Sequence, residues 1–402
     1  MQIKNLPQEF EIARPIMQNI ENAGFEAYFV GGSVRDTILG DEIHDVDIAS
    51  SAYPAEIKHI FKHTVDTGIE HGTVMVLDHG NGYEITTFRT ESGYQDYRRP
   101  DKVTFVRSLS EDLKRRDFTI NALAMKENGQ IIDLFNGLSD LNSKLIKAVG
   151  NPEERFNEDA LRMMRAVRFA SKLDFSIEVH TLEAISNHSE LLSKIAVERI
   201  HTEFVKMMLG QNPLKGISDM LKTHLVEYIP GFHDYLDSFA NLLNFKDLNL
   251  QSEEQVWTLI CFQFKLGEQQ IKSFLKAWKT SNKLISNVLT MVKALKAIES
   301  QSLNNMIMYH TGEDLLRQTL KIAKCLSIDI NEIKVMQNYA KLTVKHKKEI
   351  EIDGSQLMKL NLVKPGPMIG KVLSGIELNI VNGKLPNNKN SIIEYTKKLL
   401  KE

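Results

Sequence analysis

Residues 28–36 have the sequence Tyr-Phe-Val-Gly-Gly-Ser-Val-Arg-Asp, and residues 44–48 have the sequence His-Asp-Val-Asp-Ile. The first stretch predicts a strand, a glycine turn and the start of a helix. Glycine lets a ligand approach the backbone closely, and the free N–H groups of a helix start favour phosphate. Arg35, one turn into the helix, adds a charge-assisted hydrogen bond to the same phosphates. Alone, however, a Gly-Gly-Ser triplet is more typical of an ordinary tight turn.

Asp45 and Asp47 stand two residues apart on the next predicted strand, so we expect both carboxylates on one face. Two close carboxylates repel each other unless a cation lies between them. Mg²⁺ fits this position, because it is a hard ion that takes oxygen ligands and substrate phosphates. A lone Asp-x-Asp is usually a solvated face, but after a phosphate-binding turn it indicates two-metal phosphoryl transfer. Glu84 is the candidate third carboxylate, with an exposed strand position as the alternative.

The composition is that of an ordinary globular protein. Of the 402 residues, 42% are hydrophobic and 25% are charged, which excludes collagenous, low-complexity and wholly disordered chains. No apolar run is long enough for a spanning helix, and the first residues lack the apolar core of a signal peptide. The two cysteines, Cys261 and Cys325, argue against a disulfide framework. We therefore expect a cytoplasmic protein with no membrane partner.

Charge is distributed unevenly along the chain. Residues 1–150 hold 16 basic and 23 acidic side chains, whereas residues 151–402 hold 34 and 29. An acidic N-terminal part and a basic C-terminal part are typical of a protein that has a metal-dependent site and a separate surface that binds a polyanion. A solvated, lysine-rich helical surface is the commoner explanation of such charge runs.

Apolar periodicity divides the chain into two kinds of structure. The first 140 residues predict a mixed α/β head, in which turn formers separate short β-rich runs. The predicted strands are Ala27–Val30, Val46–Ala49, Thr73–Leu77, Tyr83–Phe88 and Lys102–Val106. The predicted helices of the head are Arg14–Ala23 and Val34–Leu39. Beyond the head, three- and four-residue spacing predicts an all-α remainder, with helices such as Glu158–Leu173 and Ala196–Leu209.

Gly31–Asp36 together with Asp45–Asp47 resembles the nucleotidyltransferase head of the DNA polymerase beta superfamily. More narrowly, the pattern is similar to the bacterial class II tRNA nucleotidyltransferases, which add CCA, and to their close relatives, the bacterial poly(A) polymerases. Four further stretches match the motifs of this family in order: Glu111–Ala122, Asp133–Gly137, Glu158–Phe169, and Ala196–Ile200 with Glu203. The matches cover about half of the chain, and their joint occurrence is far more specific than any one of them.

The resemblance implies a division into four parts. Residues 1–146 would form the catalytic head, a mixed sheet with flanking helices, and residues 147–209 a helical neck that recognises the base. Residues 210–300 and 301–402 would form a helical body and a helical tail, both of which bind tRNA. The implied activity is template-independent addition of C, C and A to the 3′ end of tRNA, from CTP and ATP, with release of pyrophosphate. Mg²⁺ is the implied cofactor. Whether the protein is a monomer or a homodimer is left open.

Asp159 and Arg162 stand three residues apart on a predicted helix, so they are neighbours on its surface. A carboxylate only accepts hydrogen bonds and a guanidinium only donates them. Cytosine and adenine present an amino donor beside a ring-nitrogen acceptor, whereas guanine and uracil reverse that order. The pair therefore suits C and A. An ion-pair ladder on a solvated helix is the alternative.

Arg165 and Arg168 continue the three-residue step. Each step rotates backwards by about 60° on an ideal helix, so Arg168 is expected nearly opposite Asp159. We therefore expect Arg165 and Arg168 to contact the rest of the nucleotide or to brace the pocket.

The resemblance assigns further residues to the site. Gly32 and Arg35 would contact the phosphates of ATP or CTP, and Arg116 would also contact the nucleotide. Additional candidates lie beside these residues: Gly31 and Ser33 in the turn, and Asp117 and Asn121, which would orient the sugar or the pocket, or else cap a helix.

Two other segments have a functional and an ordinary interpretation. Residues 89–109 are similar to the family's flexible loop, which helps the pocket accept ATP, and an ordinary surface loop is the alternative. Two sets of lysines are predicted either to meet tRNA phosphates or simply to solvate helices. They are a helical stripe, Lys272, Lys276, Lys279 and Lys283, and a cluster, Lys345, Lys347 and Lys348.

Three other functions compete with CCA addition. A poly(A) polymerase uses the same head, but such relatives tend to carry basic extensions, and this sequence ends without an arginine-rich tail. An RNA-binding protein with an inactive head is disfavoured by the intact Asp45 and Asp47. A metal phosphohydrolase lacks support, because no fuller metal-ligand pattern surrounds the two His-Asp pairs.

Overall fold

The computed structural model describes residues 1–43, 45–95 and 99–400. These residues form two compact units, residues 1–236 and residues 237–402. The strands all lie in the first unit. They are β1 (Ala27–Val30), β2 (Asp47–Ser50), β3 (Thr64–Gly68), β4 (Thr73–Asp78), β5 (Asn81–Thr87), β6 (Arg89–Gln95), β7 (Arg99–Phe105), β8 (Leu123–Met125), β9 (Ile131–Asp133), β10 (Leu145–Ile146) and β11 (Ser176–Ile177).

Seven of these strands form one mixed sheet in the order β3-β4-β5-β2-β1-β8-β9. β2 and β5 are parallel and the other pairs are antiparallel, which confirms the mixed α/β head. β10 pairs with β11, and β6 pairs with β7 as a separate hairpin. The segment predicted as a flexible loop is therefore this hairpin in the described residues, while residues 96–98 lie outside them.

The register of three strands positions the site. β1 is buried along its length, and Val30 pairs with Asp47 of β2. Ile48 pairs with Ile85 of β5 on the other side of β2. The turn after β1, the first residue of β2 and the middle of β5 are therefore neighbours. A buried apolar cluster that includes Tyr28 and Phe88 supports these strands.

The helices of the first unit surround the sheet and continue beyond it. They are α1 (Gln8–Asn22), α2 (Gly32–Leu39), α3 (Pro54–Ile60), α4 (Leu109–Lys114), α5 (Gly137–Asn142), α6 (Pro152–Glu158), α7 (Leu161–Leu173), α8 (Val179–His188), α9 (Val197–Met208) and α10 (Pro213–Lys222). α7 packs against α9 and α10. The helix predicted over Glu158–Leu173 is wrong at its start, because α6 ends at Glu158 and α7 begins at Leu161.

The second unit is helical in the described residues, as the periodicity predicted. Its helices are α11, which begins one residue earlier (Leu236–Ala240), α12 (Glu253–Gln263), α13 (Glu268–Ala277), α14 (Asn282–Glu299), α15 (Asn305–Thr311), α16 (Glu313–Cys325), α17 (Glu332–Ala340), α18 (Gly354–Lys359), α19 (Pro367–Val381) and α20 (Lys389–Leu399). In its core the rings of Trp257 and Trp278 lie 4.8 Å apart. None of the helices in the described ranges is long and apolar enough to cross a membrane.

The predicted lysine stripe is not on one helix. Lys272 and Lys276 belong to α13, which ends at Ala277, and Lys283 belongs to α14. Lys279 lies between the two helices with a φ of 58°, a left-handed conformation that ends the helical path. The four lysines therefore do not share one helical face.

Candidate functional site

A cavity of about 610 Å³ opens in the first unit where the glycine turn, the sheet and α7 meet. It brings together most of the predicted site residues: Gly31, Gly32, Arg35, Asp47, Arg116, Asp117, Asn121, Asp159, Arg162, Arg165 and Arg168. Three predicted residues are not part of its lining: Ser33, Asp45 and Glu84. Asp47 is far in sequence from Asp159 and Arg162, so only the fold shows that they share one cavity.

The turn after β1 requires glycine at its first position. Gly31 has a φ of +75°, and a Cβ there would lie 3.2 Å from Nη1 of Arg116. Gly32 opens α2 and lines the cavity. Ser33 instead turns inward, where its hydroxyl donates to the carbonyl of Val30 at 3.3 Å. The turn thus presents backbone to the cavity, while the serine stabilises the turn from behind.

Asp47 is the first residue of β2, and its carboxylate faces the cavity: a Cβ on Gly31 would lie 3.8 Å from its Oδ2. The residue is exposed as a whole, but the surrounding walls partly desolvate the carboxylate and raise the pKa of Asp47. Arg116 lowers that pKa, and the charges of Glu84 and Asp45 raise it further. Three carboxylates therefore share one electrostatic environment.

These carboxylates form an incomplete set of metal ligands. Asp45 precedes β2 instead of lying on it, and Glu84 is exposed on β5, the position its alternative interpretation expected. Among the described residues, no three carboxylate, imidazole or thiol groups converge tightly enough to hold a metal ion by themselves. The donor set fits a hard divalent ion that takes its remaining oxygen ligands from bound phosphates and water.

Arg35 is buried, and protein groups already hold its guanidinium. Its Nε donates to Asp36 at 2.8 Å and its Nη1 donates to Oδ1 of Asn121 at 2.5 Å. Lys172 lies 3.6 Å from the other oxygen of Asp36. Arg35 therefore has a fixed place at the end of the cavity near the turn, and its charge is shared with Asp36.

A chain of polar contacts runs from Arg35 to α7. The amide nitrogen of Asn121 donates to Asp117 at 3.1 Å, and Arg165 donates to the other oxygen of Asp117 through Nε and Nη2, at 2.8 and 2.5 Å. Burial alone would raise the pKa of Asp117, but Arg165 and the hydrogen bonds overcome it and hold the pKa well below its usual value. Asp117 and Asn121 thus orient the pocket through its arginines.

We expect Asp117→Asn to lower the free energy of unfolding by about 2 kcal/mol at pH 7, because it removes the buried carboxylate that accepts two hydrogen bonds from the half-buried Arg165. Because the pKa of Asp117 is depressed in the folded state, its charge stabilises the fold fully above the unfolded-state pKa, and this stabilisation is lost progressively as the pH falls below about 4 toward the folded-state pKa. Urea unfolding at pH 7 and pH 3.5 measures both effects. Asp66→Asn, which removes an exposed partner of Lys58, is the matched control. A pH-independent difference between variant and wild type would contradict this assignment.

Phe169 lies at the centre of the arginine cluster. The guanidinium carbons of Arg168, Arg35 and Arg165 lie 4.0, 5.0 and 5.5 Å from its ring centroid. Cation–π contacts of this kind stabilise a desolvated guanidinium. The Nε of Arg168 lies 2.7 Å from Glu203 without hydrogen-bond geometry, and burial lowers the pKa of Arg168. The ring holds three positive groups at one wall of the cavity, which suits a polyanionic ligand.

Asp159 lies in the break between α6 and α7, where it accepts a hydrogen bond from the backbone N–H of Leu161 at 3.1 Å. Arg199 of α9 donates to both of its oxygens, at 3.3 and 2.9 Å. The expectation that Arg168 lies opposite Asp159 assumed one straight helix, and it is wrong because the helix is interrupted. Asp159 and Arg168 line the same cavity.

Arg162 is buried and braced by three acceptors. Its Nη1 donates to Glu158 at 2.9 Å and to the carbonyl of Arg155 at 3.5 Å, and its Nη2 donates to the carbonyl of Arg115 at 2.8 Å. A guanidinium has five N–H donors, so these contacts leave two hydrogens for a ligand. Asp159 and Arg162 therefore present a fixed acceptor and donor at one end of the cavity.

Sequence reasoning missed several residues that line the cavity: Thr73, Thr86, Arg89, Arg115, Leu161, Phe169, Lys172 and Arg199. Arg115, Phe169 and Arg199 stand inside the motif stretches, which was the available signal. Nothing local distinguishes the two threonines, because their place depends on the pairing of β4 with β5. Arg89 opens the segment 89–109 that resembles the family's flexible loop, which was its signal.

Three segments of the chain match known families. Residues 27–147 match the family described as Poly A polymerase head domain, and residues 174–236 match a probable RNA and SrmB-binding site of polymerase A. Residues 248–396 match the family described as tRNA nucleotidyltransferase domain 2, putative.

Curated relatives and a solved structure are similar over nearly the whole chain. The CCA-adding enzyme of Limosilactobacillus reuteri (strain DSM 20016) is 57% identical over 402 residues, and that of Ligilactobacillus salivarius (strain UCC118) is 55% identical, with both chains covered in full in each comparison. The crystal structure of the Bacillus stearothermophilus CCA-adding enzyme in complex with CTP matches with a TM-score of 0.88 and 36% identity, over 98% of each chain. The chain belongs to the family of CCA-adding enzymes.

Proposed function

We propose that this protein adds C, C and A to the 3′ end of tRNA, from CTP and ATP and without a nucleic-acid template, in tRNA maturation and repair. One observation carries the proposal: a single cavity joins Asp47 and the glycine turn to a braced acceptor–donor pair, Asp159 and Arg162. The 57% identity to a CCA-adding enzyme over the full chain supports it.

Different parts of the cavity bind the triphosphate and the base of the nucleotide. The backbone of Gly31 and Gly32, with Arg35, Arg116 and the positive wall around Phe169, binds the triphosphate. Asp159 accepts from the exocyclic amino group of cytosine or adenine, and Arg162 donates to the adjacent ring nitrogen. Uracil and guanine place a carbonyl opposite Asp159 and an N–H opposite Arg162, so both contacts are lost.

Asp45 and Asp47 would hold magnesium. Nucleotidyltransferases of this family generally use divalent metal ions, and a bound Mg²⁺ would activate the attacking hydroxyl and stabilise the departing pyrophosphate. The protein's own contribution is to fix the carboxylate of Asp47 beside the glycine turn that would hold the phosphates, with Asp45 two residues before it.

The remaining assignments follow from the same proposal. Residues 1–146 are the catalytic head and residues 147–209 the base-recognising neck, while residues 210–300 and 301–402 bind tRNA. The protein acts in the cytoplasm, where its substrate tRNA is found, and the proposal holds for a monomer or a homodimer.

Incorporation assays test the function directly. Purified protein is given Mg²⁺ and a tRNA that ends before CCA, with each nucleoside triphosphate singly and in pairs. We expect two additions from CTP alone, and one further A and then arrest from CTP with ATP, with UTP and GTP incorporated at least about 10-fold more slowly. Long A tails would favour a poly(A) polymerase, and tRNA binding without incorporation would favour an inactive RNA-binding protein.

A further inference from the structure

Two threonine residues line the cavity beyond Asp47, and the proposed function assigns them no role. Thr73 of β4 and Thr86 of β5 are directly paired across the sheet, and their Oγ1 atoms lie 3.0 Å apart. Both residues are half-buried and line the cavity. The feature is therefore a fixed pair of hydroxyl groups that faces the ligand space.

The pair has hydrogen-bonding capacity to spare. Two hydroxyls supply two hydrogens, and the contact between Thr73 and Thr86 uses one of them. Within the described parts of the chain, neither hydroxyl has another hydrogen-bond partner. The second hydrogen and the remaining lone pairs are thus available to a ligand group that both donates and accepts.

The order of the strands shows on which side of Asp47 the two threonines lie. Across the sheet the sequence is β1, β2, β5, β4. The glycine turn follows β1, Asp47 opens β2, and the threonines lie on β5 and β4. The hydroxyl pair and the turn therefore flank Asp47 on opposite sides.

The chemistry of nucleotidyl transfer assigns a ligand to each side, and this step rests on the proposed function. The attacking and leaving oxygens lie roughly in line on opposite sides of the phosphorus. Pyrophosphate leaves on the side of Gly31 and Gly32, so the attacking hydroxyl comes from the side of Thr73 and Thr86. That hydroxyl is the 3′-OH of the terminal ribose of the acceptor RNA, which also carries a 2′-OH.

We propose that Thr73 and Thr86 bind the 2′-hydroxyl of the acceptor's terminal ribose and so position its 3′-hydroxyl toward Asp47. A 2′-hydroxyl is both a donor and an acceptor, which matches the capacity of the pair, and it is the group by which a protein distinguishes RNA from DNA. The subsite would make the enzyme selective for an acceptor that ends in ribose.

The test compares two acceptors that differ by one oxygen atom. A tRNA minihelix that ends before CCA is prepared with a terminal ribose or a terminal 2′-deoxyribose, and single-turnover incorporation from CTP is measured on both. We expect the wild type to favour the ribose acceptor by about tenfold, the worth of roughly one hydrogen bond. With the ribose acceptor, the Thr73→Val/Thr86→Val variant should react about tenfold more slowly than the wild type. With the deoxyribose acceptor, the variant and the wild type should react at the same rate.

The design separates the alternatives. The ratio of the two rates is measured on one preparation, so partial misfolding cancels, and Thr64→Val on β3 is the matched control, expected to keep the full ratio. An unchanged ratio in the double variant, a raised KM for CTP alone, or a wild type that does not distinguish the acceptors would overturn the proposal. A wild type that extends neither acceptor would instead refute the proposed function.

Discussion

Asp47→Asn is expected to reduce nucleotide incorporation by roughly 10³-fold, because it removes about 4 kcal/mol of transition-state stabilisation by a bound metal ion. Asparagine has the same shape as aspartate, so the β2 register with Val30 and the contact with the glycine turn are kept. What changes is the charge of Asp47, which of the three candidate metal-binding carboxylates, Asp45, Asp47 and Glu84, is the one that lines the cavity. Asp45→Asn is expected to have a similar effect if both residues hold the ion.

Three measurements distinguish this loss from misfolding. Single-turnover incorporation should fall and CTP binding should lose its dependence on Mg²⁺. The affinity for tRNA should stay within about twofold of the wild type, because basic contacts to phosphates, and not a carboxylate in the cavity, dominate affinity for a nucleic acid. Asp66→Asn, an exposed carboxylate on β3, is the control and should be fully active. Incorporation within tenfold of the wild type would contradict the metal assignment of Asp47.

The glycine turn could be predicted because its signals are local. A buried run of four residues, a glycine with positive φ and a helix start all lie within a few positions of each other. The prediction that Asp47 lies near this turn depended on the same stretch of sequence. The structure confirms the predicted mixed sheet, and the helical second unit follows from spacing that is likewise local.

The break at Asp159 could not be predicted from spacing. Apolar residues continue at helical intervals through this point, so the pattern indicates one helix. The side chain of Asp159 instead accepts a hydrogen bond from the N–H of Leu161, the first residue of α7, and is held by Arg199, 40 residues further along the chain. Only the packing of α7 on α9 brings that arginine near.

The number of hydrogen bonds that each arginine already makes to protein groups is a second property that could not be predicted from the sequence. Arg35 and Arg165 were expected to contact the nucleotide, and both lie in the cavity, but Asp36 and Asp117 already bind them. A motif shows which charges are present, whereas the number of donors left for a ligand depends on partners brought in by the fold. The same holds for Thr73 and Thr86, which are ordinary strand residues until their pairing is known.

Arg162→Ala is expected to lower kcat/KM for CTP by roughly 10- to 100-fold and to remove most of the preference for CTP over UTP, because one specific base contact is worth about 1–3 kcal/mol. The side chain lines the cavity and has donors to spare after bonding to Glu158 and to two backbone carbonyls. Without it, the donor proposed to face the ring nitrogen is removed, and so is the group that opposes the N–H of uracil.

The control for this variant is the neighbouring Arg155→Ala. Arg155 also pairs with Glu158 and donates to the carbonyl of Lys114, but it does not line the cavity. Removing it disturbs the same carboxylate while leaving in place the guanidinium that we propose contacts the base, so its ratio of CTP to UTP incorporation should equal that of the wild type. An unchanged ratio in Arg162→Ala would contradict its proposed contact with the base. An equal loss of the ratio in Arg155→Ala would mean that selection depends on the charge network around Glu158.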